Sequence, residues 1–445
     1  MKASLGRWLS VLGMDFHVAT TLLMRGWTIL AGGVMVLAIP ATLSPQQQGY
    51  YFTFSSLLGL QVFFELGLNQ VITQITSKEM ALHERGRGQD GNRHLLRVRS
   101  TLAMLRRWYR IAAVLFFVIT GLAGAALFRN EGSLPATEWL GPWVGLAIFT
   151  AINLYFSPLL AVTEGCGQVG QVARLRLGQS IIGFLMTWAC LFSGAGLWAI
   201  PINTLVASVW TSRWLRSKDH VLRMFGDVAQ SSQEHAIDWR KEVLPFQWRI
   251  AVSWMSGYLM YQLFTPLTFI HLGATAAGRL GLTIAIFTAI QSLGVSWFNA
   301  RIPLITGLIS RGDRVELDRL FKATFVRATT LTLVGCACVV LGVSLSLHFG
   351  LPQASRLIDM PTLLAIAVGT VGNTAIYGAA TYMRAHGKEP MLPVSVTAAV
   401  LTLTAAYFAS KLGTFPTMLS QTVITMVVVL PWTARLFTCY YAKPH

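Results

Sequence analysis

Twelve apolar stretches, each long enough to cross a bilayer, take up most of this chain and leave short connectors between them. They fall at 21–43, 50–75, 111–128, 138–162, 174–193 and 196–212, then at 246–271, 277–300, 323–347, 361–383, 391–410 and 416–437. A hydrocarbon core about 30 Å thick takes roughly 20 mostly apolar residues per helix. Backbone polar groups in lipid have no partner outside a helix or a closed barrel. Barrel strands alternate polar and apolar residues, and the run Ile111-Ala-Ala-Val-Leu-Phe-Phe-Val-Ile-Thr120 does not. The segments therefore read as helices. Charged residues make up 12% of the chain, against about a quarter in a soluble domain. The expected fold is an all-α polytopic membrane protein, with twelve transmembrane helices in two six-helix lobes.

Charge sets the orientation. With the N-terminus inside, 29 of the 35 Lys and Arg residues fall on the cytoplasmic side, nine of them in 76–110. Only Arg129, Arg279, Arg356 and Lys411 fall on the other. This asymmetry follows the positive-inside rule and places both termini in the cytoplasm. The net charge of +17 then reflects loops beside anionic headgroups rather than a nucleic-acid surface. Residues 1–20 hold Asp15 and His17 and no clean apolar run, so no cleavable leader is expected. Three segments follow: 1–212, which includes the basic loop 76–110, a linker 213–245, and 246–445. In the loop, Leu95, Leu96, Val98, Leu102, Met104 and Leu105 alternate with five arginines and read as an amphipathic helix running into span 3.

The two halves echo each other. An offset of 230 lays Gln61 on Gln291 and Asn69 on Asn299, and an offset of 220 lays Asn153 on Asn373 and Gly167 on Gly387. Repeats of six helices entering from one side are related by an axis along the membrane normal, a known transporter plan. Polar residues inside spans are costly and mark cavities or partners. Arg25 and Arg249 lie near the starts of spans 1 and 7, Arg301 lies just past span 8, and Glu65 is the one acid deep within a span. Arginine in excess of acid favours an anion, because guanidinium meets phosphate oxygens in pairs. Pro40 and Pro266, with Gly32-Gly33, mark bends in spans 1 and 7 and are candidate gating points. Five scattered cysteines and nine scattered histidines form no metal or redox spacing, so no cofactor is expected.

Three local stretches carry a family resemblance: Phe64-Glu-Leu-Gly-Leu-Asn69, Asn299-Ala-Arg-Ile-Pro303, and Tyr382-Met-Arg-Ala-His-Gly-Lys388 with its echo Thr163-Glu-Gly-Cys-Gly-Gln168. With the architecture, they make the chain resemble bacterial polysaccharide-repeat-unit flippases. These are the Wzx-like O-antigen and exopolysaccharide translocases of the multidrug/oligosaccharidyl-lipid/polysaccharide exporter superfamily. The resemblance implies two lobes forming a V around a central cavity, in the inner membrane, with the protein working as a monomer beside the polysaccharide polymerase machinery. It implies flipping of a polyprenyl-pyrophosphate-linked glycan by alternating access, with Arg25 and Arg249 on the diphosphate and Arg301 as a weaker contact. Gln61, Gln291, Asn69 and Asn299 would line the site, and Glu65 would carry coupling to sodium, protons or membrane potential.

Three rivals stay open. A cation-coupled multidrug extruder of the same superfamily would share the architecture and differ in cavity chemistry. A major-facilitator transporter would carry a short Gly-x-x-x-Asp-Arg loop after span 2, where this chain has 35 residues without it. A membrane glycosyltransferase or O-antigen ligase would need a large outer loop, and 348–360 holds only His348, Arg356 and Asp359.

Overall fold

The computed structural model describes residues 16–85, 89–217, 239, 243–350, 355–386 and 390–441. Most of the expected linker 213–245, the first fifteen residues and the end of the Tyr382–Lys388 stretch lie outside the described residues. The described chain is helical throughout. The helices are α1 Phe16–Thr42, α2 Pro45–Leu58, α3 Val62–Glu65, α4 Leu68–Arg85, α5 Gln89–Glu131, α6 Ala136–Thr163, α7 Val169–Phe192 and α8 Ala199–Ser217. The later ones are α9 Leu244–Tyr261, α10 Phe264–Leu272, α11 Ala274–Arg311, α12 Arg314–His348, α13 Met360–Ala385, α14 Leu392–Ala409, α15 Thr414–Val423 and α16 Leu430–Tyr441.

The count of spans corrects the sequence expectation of twelve in two six-helix lobes forming a V. Among the described residues, seven helical segments are long and apolar enough to cross a membrane. An eighth is added if the bent pair Pro45–Glu65 and Leu68–Arg85 is one span. The physical reasons are particular to each segment. Stretches 138–162 and 174–193 fall in α6 and α7, which count as one segment, Ala136–Phe192, kinked at Gly167 where φ is 82. Stretch 196–212 falls in α8, where Asn203, Thr204, Ser208, Thr211 and Ser212 dilute the apolar residues. Stretch 246–271 stops at Tyr261 and restarts at Phe264; the first piece carries Gln247 and Arg249 and is not apolar enough to be counted, and the second, of nine residues, is too short to span alone. Stretch 21–43 lies in α1, Phe16–Thr42, of which only Leu30–Thr42 enters this count.

The chain divides into two compact units. The first comprises Met1–Ala38, Leu58–Asn130 and Pro135–Trp254. Its core gathers Leu68 and Ile72 of α4, Val98, Leu102, Leu105, Tyr109 and Phe116 of α5, and Leu154 and Leu159 of α6. The spacing 98, 102, 105, 109 is the three-and-four step of a helix stripe. The basic segment thus buries an apolar face in one unbroken helix, Gln89–Glu131, that continues into the third apolar stretch. The opposite face of α5 shows Val114, Ile119 and Leu122 at 53–67% exposure, an apolar exterior suited to lipid rather than water. A buried carboxylate, Glu79, meets His94 Nδ1 at 2.7 Å and Arg97 at 3.7 Å, joining α4 to the start of α5.

The second unit comprises Ile39–Leu57, Glu131–Leu134 and Met255–His445. Its core holds Phe264, Leu280, Phe287, Cys336 and Leu363, and a further aromatic cluster joins Phe298, Phe321, Tyr382 and Phe437. Helix α2 belongs to this unit and meets α11 backbone to backbone. A Cβ on Gly49 would lie 1.9 Å from the Ala274 carbonyl oxygen, and one on Gly278 would lie 2.7 Å from the Gly49 nitrogen. Glycine at both positions is what lets the helices approach that closely.

Candidate functional site

The second apolar stretch, 50–75, does not form one straight rod. After α2 the chain tightens into a 3-10 turn at Gly59–Gln61, makes one α turn at Val62–Glu65, and breaks at Leu66-Gly67. The helices on either side of the break are bent by 44°. Leu66 has φ 50, and among the described residues it is the one non-glycine with positive φ. A left-handed leucine costs roughly 1–2 kcal/mol, and such strain collects at functional positions. Gly67 follows at φ 65 and packs on α9, where a Cβ would meet Ile250 Cγ2 at 2.4 Å. The break therefore needs glycine twice over: for backbone conformation and for space.

The acid sits at this interruption. Glu65 ends α3 and accepts a hydrogen bond from Gln61 Nε2, one turn earlier. Among the described residues no cation pairs with it. One turn beyond the break, Asn69 Oδ1 accepts from the buried Tyr109 hydroxyl of α5 at 3.2 Å. That hydroxyl also lies within electrostatic reach of Glu65 and beside Ser157 of α6. Thr73 donates to the carbonyls of Asn69 and Ala161, tying α4 to α6. The interruption thus brings together Gln61, Glu65, Asn69 and Tyr109. Two partially negative features adjoin here: the carbonyls freed at the C-terminus of α3 and the carboxylate beside them.

The second unit repeats part of this chemistry. Asn299 Oδ1 accepts from the Tyr377 hydroxyl at 2.8 Å. Helix α11 runs through this region without a break, and Val295 stands where the 230-residue offset would place an acid. Gln291 is half-buried on the same helix, and Arg301 is half-buried ten residues further on. Arg249 is exposed on α9 with its guanidinium 5.6 Å from the Trp248 ring centre. Arg25 lies on α1, and its side chain is outside the described residues. Pro40 falls in the last turn of α1. Pro266 falls in the first turn of α10, where its missing N–H has no helical partner to lose.

A second polar cluster, in the other unit, centres on Glu131. Its Oε2 accepts from the Tyr50 hydroxyl at 3.0 Å and from the Ser133 amide and hydroxyl, while Oε1 accepts from the Ala274 amide at 3.0 Å. Gln48 Nε2 donates to the Gly278 carbonyl at 2.8 Å nearby. Sequence reading missed this cluster, because Glu131 is a connector residue like any other until the chain folds. It also missed the break at Leu66, though Gly67 inside an apolar run was a visible signal. Among the described residues no group of three or more His, Cys, Asp or Glu side chains gathers to hold a metal ion.

No protein-family model matches the chain, and no curated protein matches its sequence. Solved structures do match. A multidrug resistance MATE family transporter of the MOP superfamily, in an inward-facing conformation, aligns at TM-score 0.57 and 15% identity over 94% of this chain and all of that one. The lipid II flippase MurJ, inward closed, aligns at 0.58 and 12% over 95% of this chain and 87% of that one. The fold is the one these transporters share. The MATE multidrug transporter DinF-BH, in complex with R6G, aligns at 0.57 and 14% over 94% of both chains.

Proposed function

We propose that this chain is a multi-pass transporter of the bacterial inner membrane that exports an amphiphile by alternating access and couples the movement to a cation at Glu65. The observation that carries the reading is the interrupted helix, where a strained Leu66, a helix C-terminus and the Glu65 carboxylate held by Gln61 coincide within an apolar span. Discontinuous membrane helices are where ion-coupled transporters hold their ions, because freed carbonyls and a nearby acid both favour positive charge. The fold shared with MATE-type transporters and MurJ supports transport over catalysis.

Two cargo readings have support. Extrusion of drug-like amphiphiles is favoured by the acid at the break and by the MATE-type likenesses, one of them in complex with R6G. Flipping of a polyprenyl-pyrophosphate-linked oligosaccharide is favoured by the arginine excess and by the likeness to the lipid II flippase MurJ. In that second reading Arg25, Arg249 and Arg301 handle the diphosphate. An anionic head moving outward works against an inside-negative potential at about 2.3 kcal/mol per charge per 100 mV, so it too requires compensating cation entry. The drug-export reading is preferred, since Glu65 sits at the break while Arg249 is exposed beside Trp248.

The test is proteoliposomes under imposed sodium or proton gradients, offered either a rhodamine dye or a polyprenyl-diphosphate oligosaccharide. Gradient-dependent movement of the dye, lost in Glu65→Gln, is the expected result. Movement of the oligosaccharide alone selects the flippase reading. Unchanged gradient dependence in Glu65→Gln overturns the coupling role.

A further inference from the structure

Helices α7 and α8 pack side by side as a hairpin in the first unit and leave a cavity of about 400 Å³ at its open end. Gln171, Arg174 and Leu175 of α7 and Trp210 and Trp214 of α8 line it. Residues 164–217 contain four arginines, Arg174, Arg176, Arg213 and Arg216, and one acid, Glu164, which pairs with Arg176 at 2.9 Å. All four lie at this end, within eight residues of the start of α7 or five of the end of α8. The positive-inside rule assigns that end to the cytoplasmic leaflet.

The lining is a built site rather than a gap between apolar faces. Arg174 Nε donates to the Gly170 carbonyl at 3.2 Å, which lays the side chain along its own helix at the cavity edge. Leu175 is buried beneath. Trp210 packs against Gly178, where a Cβ would touch the indole at 3.4 Å, so the ring lies close against α7. One turn deeper, Gln179 Nε2 donates to the Ala207 carbonyl at 3.1 Å and to the Thr211 hydroxyl, fixing the two helices. Gln171 Oε1 is shielded from solvent and has no hydrogen-bond partner among the described residues. A buried acceptor left so costs about 1–3 kcal/mol, and a ligand hydroxyl would satisfy it.

We infer that this cavity binds the headgroup of an anionic phospholipid of the cytoplasmic leaflet, with the phosphodiester on Arg174 and a glycerol hydroxyl of the head on Gln171 Oε1. Guanidinium and phosphate make short, charge-assisted pairs. Tryptophan is favoured at the headgroup level, where its ring faces the acyl boundary and its N–H the polar layer. Basic pockets between membrane helices on the cytoplasmic side suit anionic headgroups. The volume equals roughly thirteen waters at about 30 Å³ each. That is room for a glycerophosphate head and more than one inorganic anion needs. The site is independent of the break at Glu65 and does not rest on the cargo.

Native mass spectrometry of delipidated full-length protein, titrated with phosphatidylglycerol, phosphatidylcholine, phosphatidic acid or inorganic phosphate, tests it. Phosphatidylglycerol should be retained in preference to phosphatidylcholine, and phosphate should not compete at equal concentration. Arg174→Ala should weaken phosphatidylglycerol about tenfold, with partial recovery in Arg174→Lys, which keeps the charge and loses the fork. Gln171→Ala should weaken phosphatidylglycerol about threefold and leave phosphatidic acid, which lacks the head hydroxyl, unchanged. Arg216→Ala, on the same end but outside the lining, should bind as the unaltered protein does. Three results overturn the assignment: equal retention of phosphatidylcholine, full competition by inorganic phosphate, or no effect of Arg174→Ala.

Discussion

Removing the Glu131 carboxylate should loosen the second unit by about 2–3 kcal/mol, and the structure says where that energy resides. Helix α11 begins at Ala274 behind Gly273, which has no side chain with which to cap it. Glu131, 143 residues away in sequence, accepts the Ala274 amide at 3.0 Å and so caps the helix from outside. Losing a cap costs about 1 kcal/mol, and a carboxylate there also meets the positive end of the helix dipole. The other oxygen takes the hydroxyl of the fully buried Tyr50 on α2. Ser133 and Leu134 also neighbour that hydroxyl, so its share is the net worth of one bond to a charged group, about 1.5 kcal/mol. Glu131→Gln has a single carbonyl oxygen and should lose about half as much as Glu131→Ala. The assay is reversible unfolding in mixed micelles of Glu131→Ala, Tyr50→Phe and the double variant. Residues in contact should couple by about 0.5–3 kcal/mol. An additive cycle, or an alanine variant within about 0.5 kcal/mol of the original, would refute the latch between α2, the 131–134 connector and α11.

Two further outcomes test the close packing and the orientation. Gly49→Ala places a methyl against the Ala274 backbone rather than a movable side chain. It should destabilise the protein by about 1–3 kcal/mol in the same unfolding assay, and a neutral effect would contradict the backbone contact. In a cysteine-free background, Gln46→Cys should react with an impermeant thiol reagent from outside intact cells, whereas Ser217→Cys should react only after the cells are opened; labelling in the reverse order would invert the orientation read from charge.

What the sequence determined by itself was set by quantities that add up along the chain. Apolar content, the scarcity of charge and the one-sided distribution of arginine are averages over many residues, so they made an all-helical membrane protein legible without any contact being known. The stripe Val98, Leu102, Leu105 and Tyr109 was legible for the same reason, since helical periodicity is local. Single residues spoke less clearly. Glu65 stood out because an acid inside an apolar run is costly wherever it points. The number of spans was beyond a count of apolar runs, because hydropathy does not register where a helix stops. The 246–271 run halts at Tyr261, and the 138–193 region kinks at Gly167 between α6 and α7. Tertiary structure alone decided the rest. Leu66 takes a left-handed turn beside a Gly67 pressed on Ile250, Tyr109 finds Asn69, and Glu131 caps a helix that begins 143 residues later. Each is a pairing between distant positions, and a pairing has no signature in either partner's sequence neighbourhood until packing brings the two together.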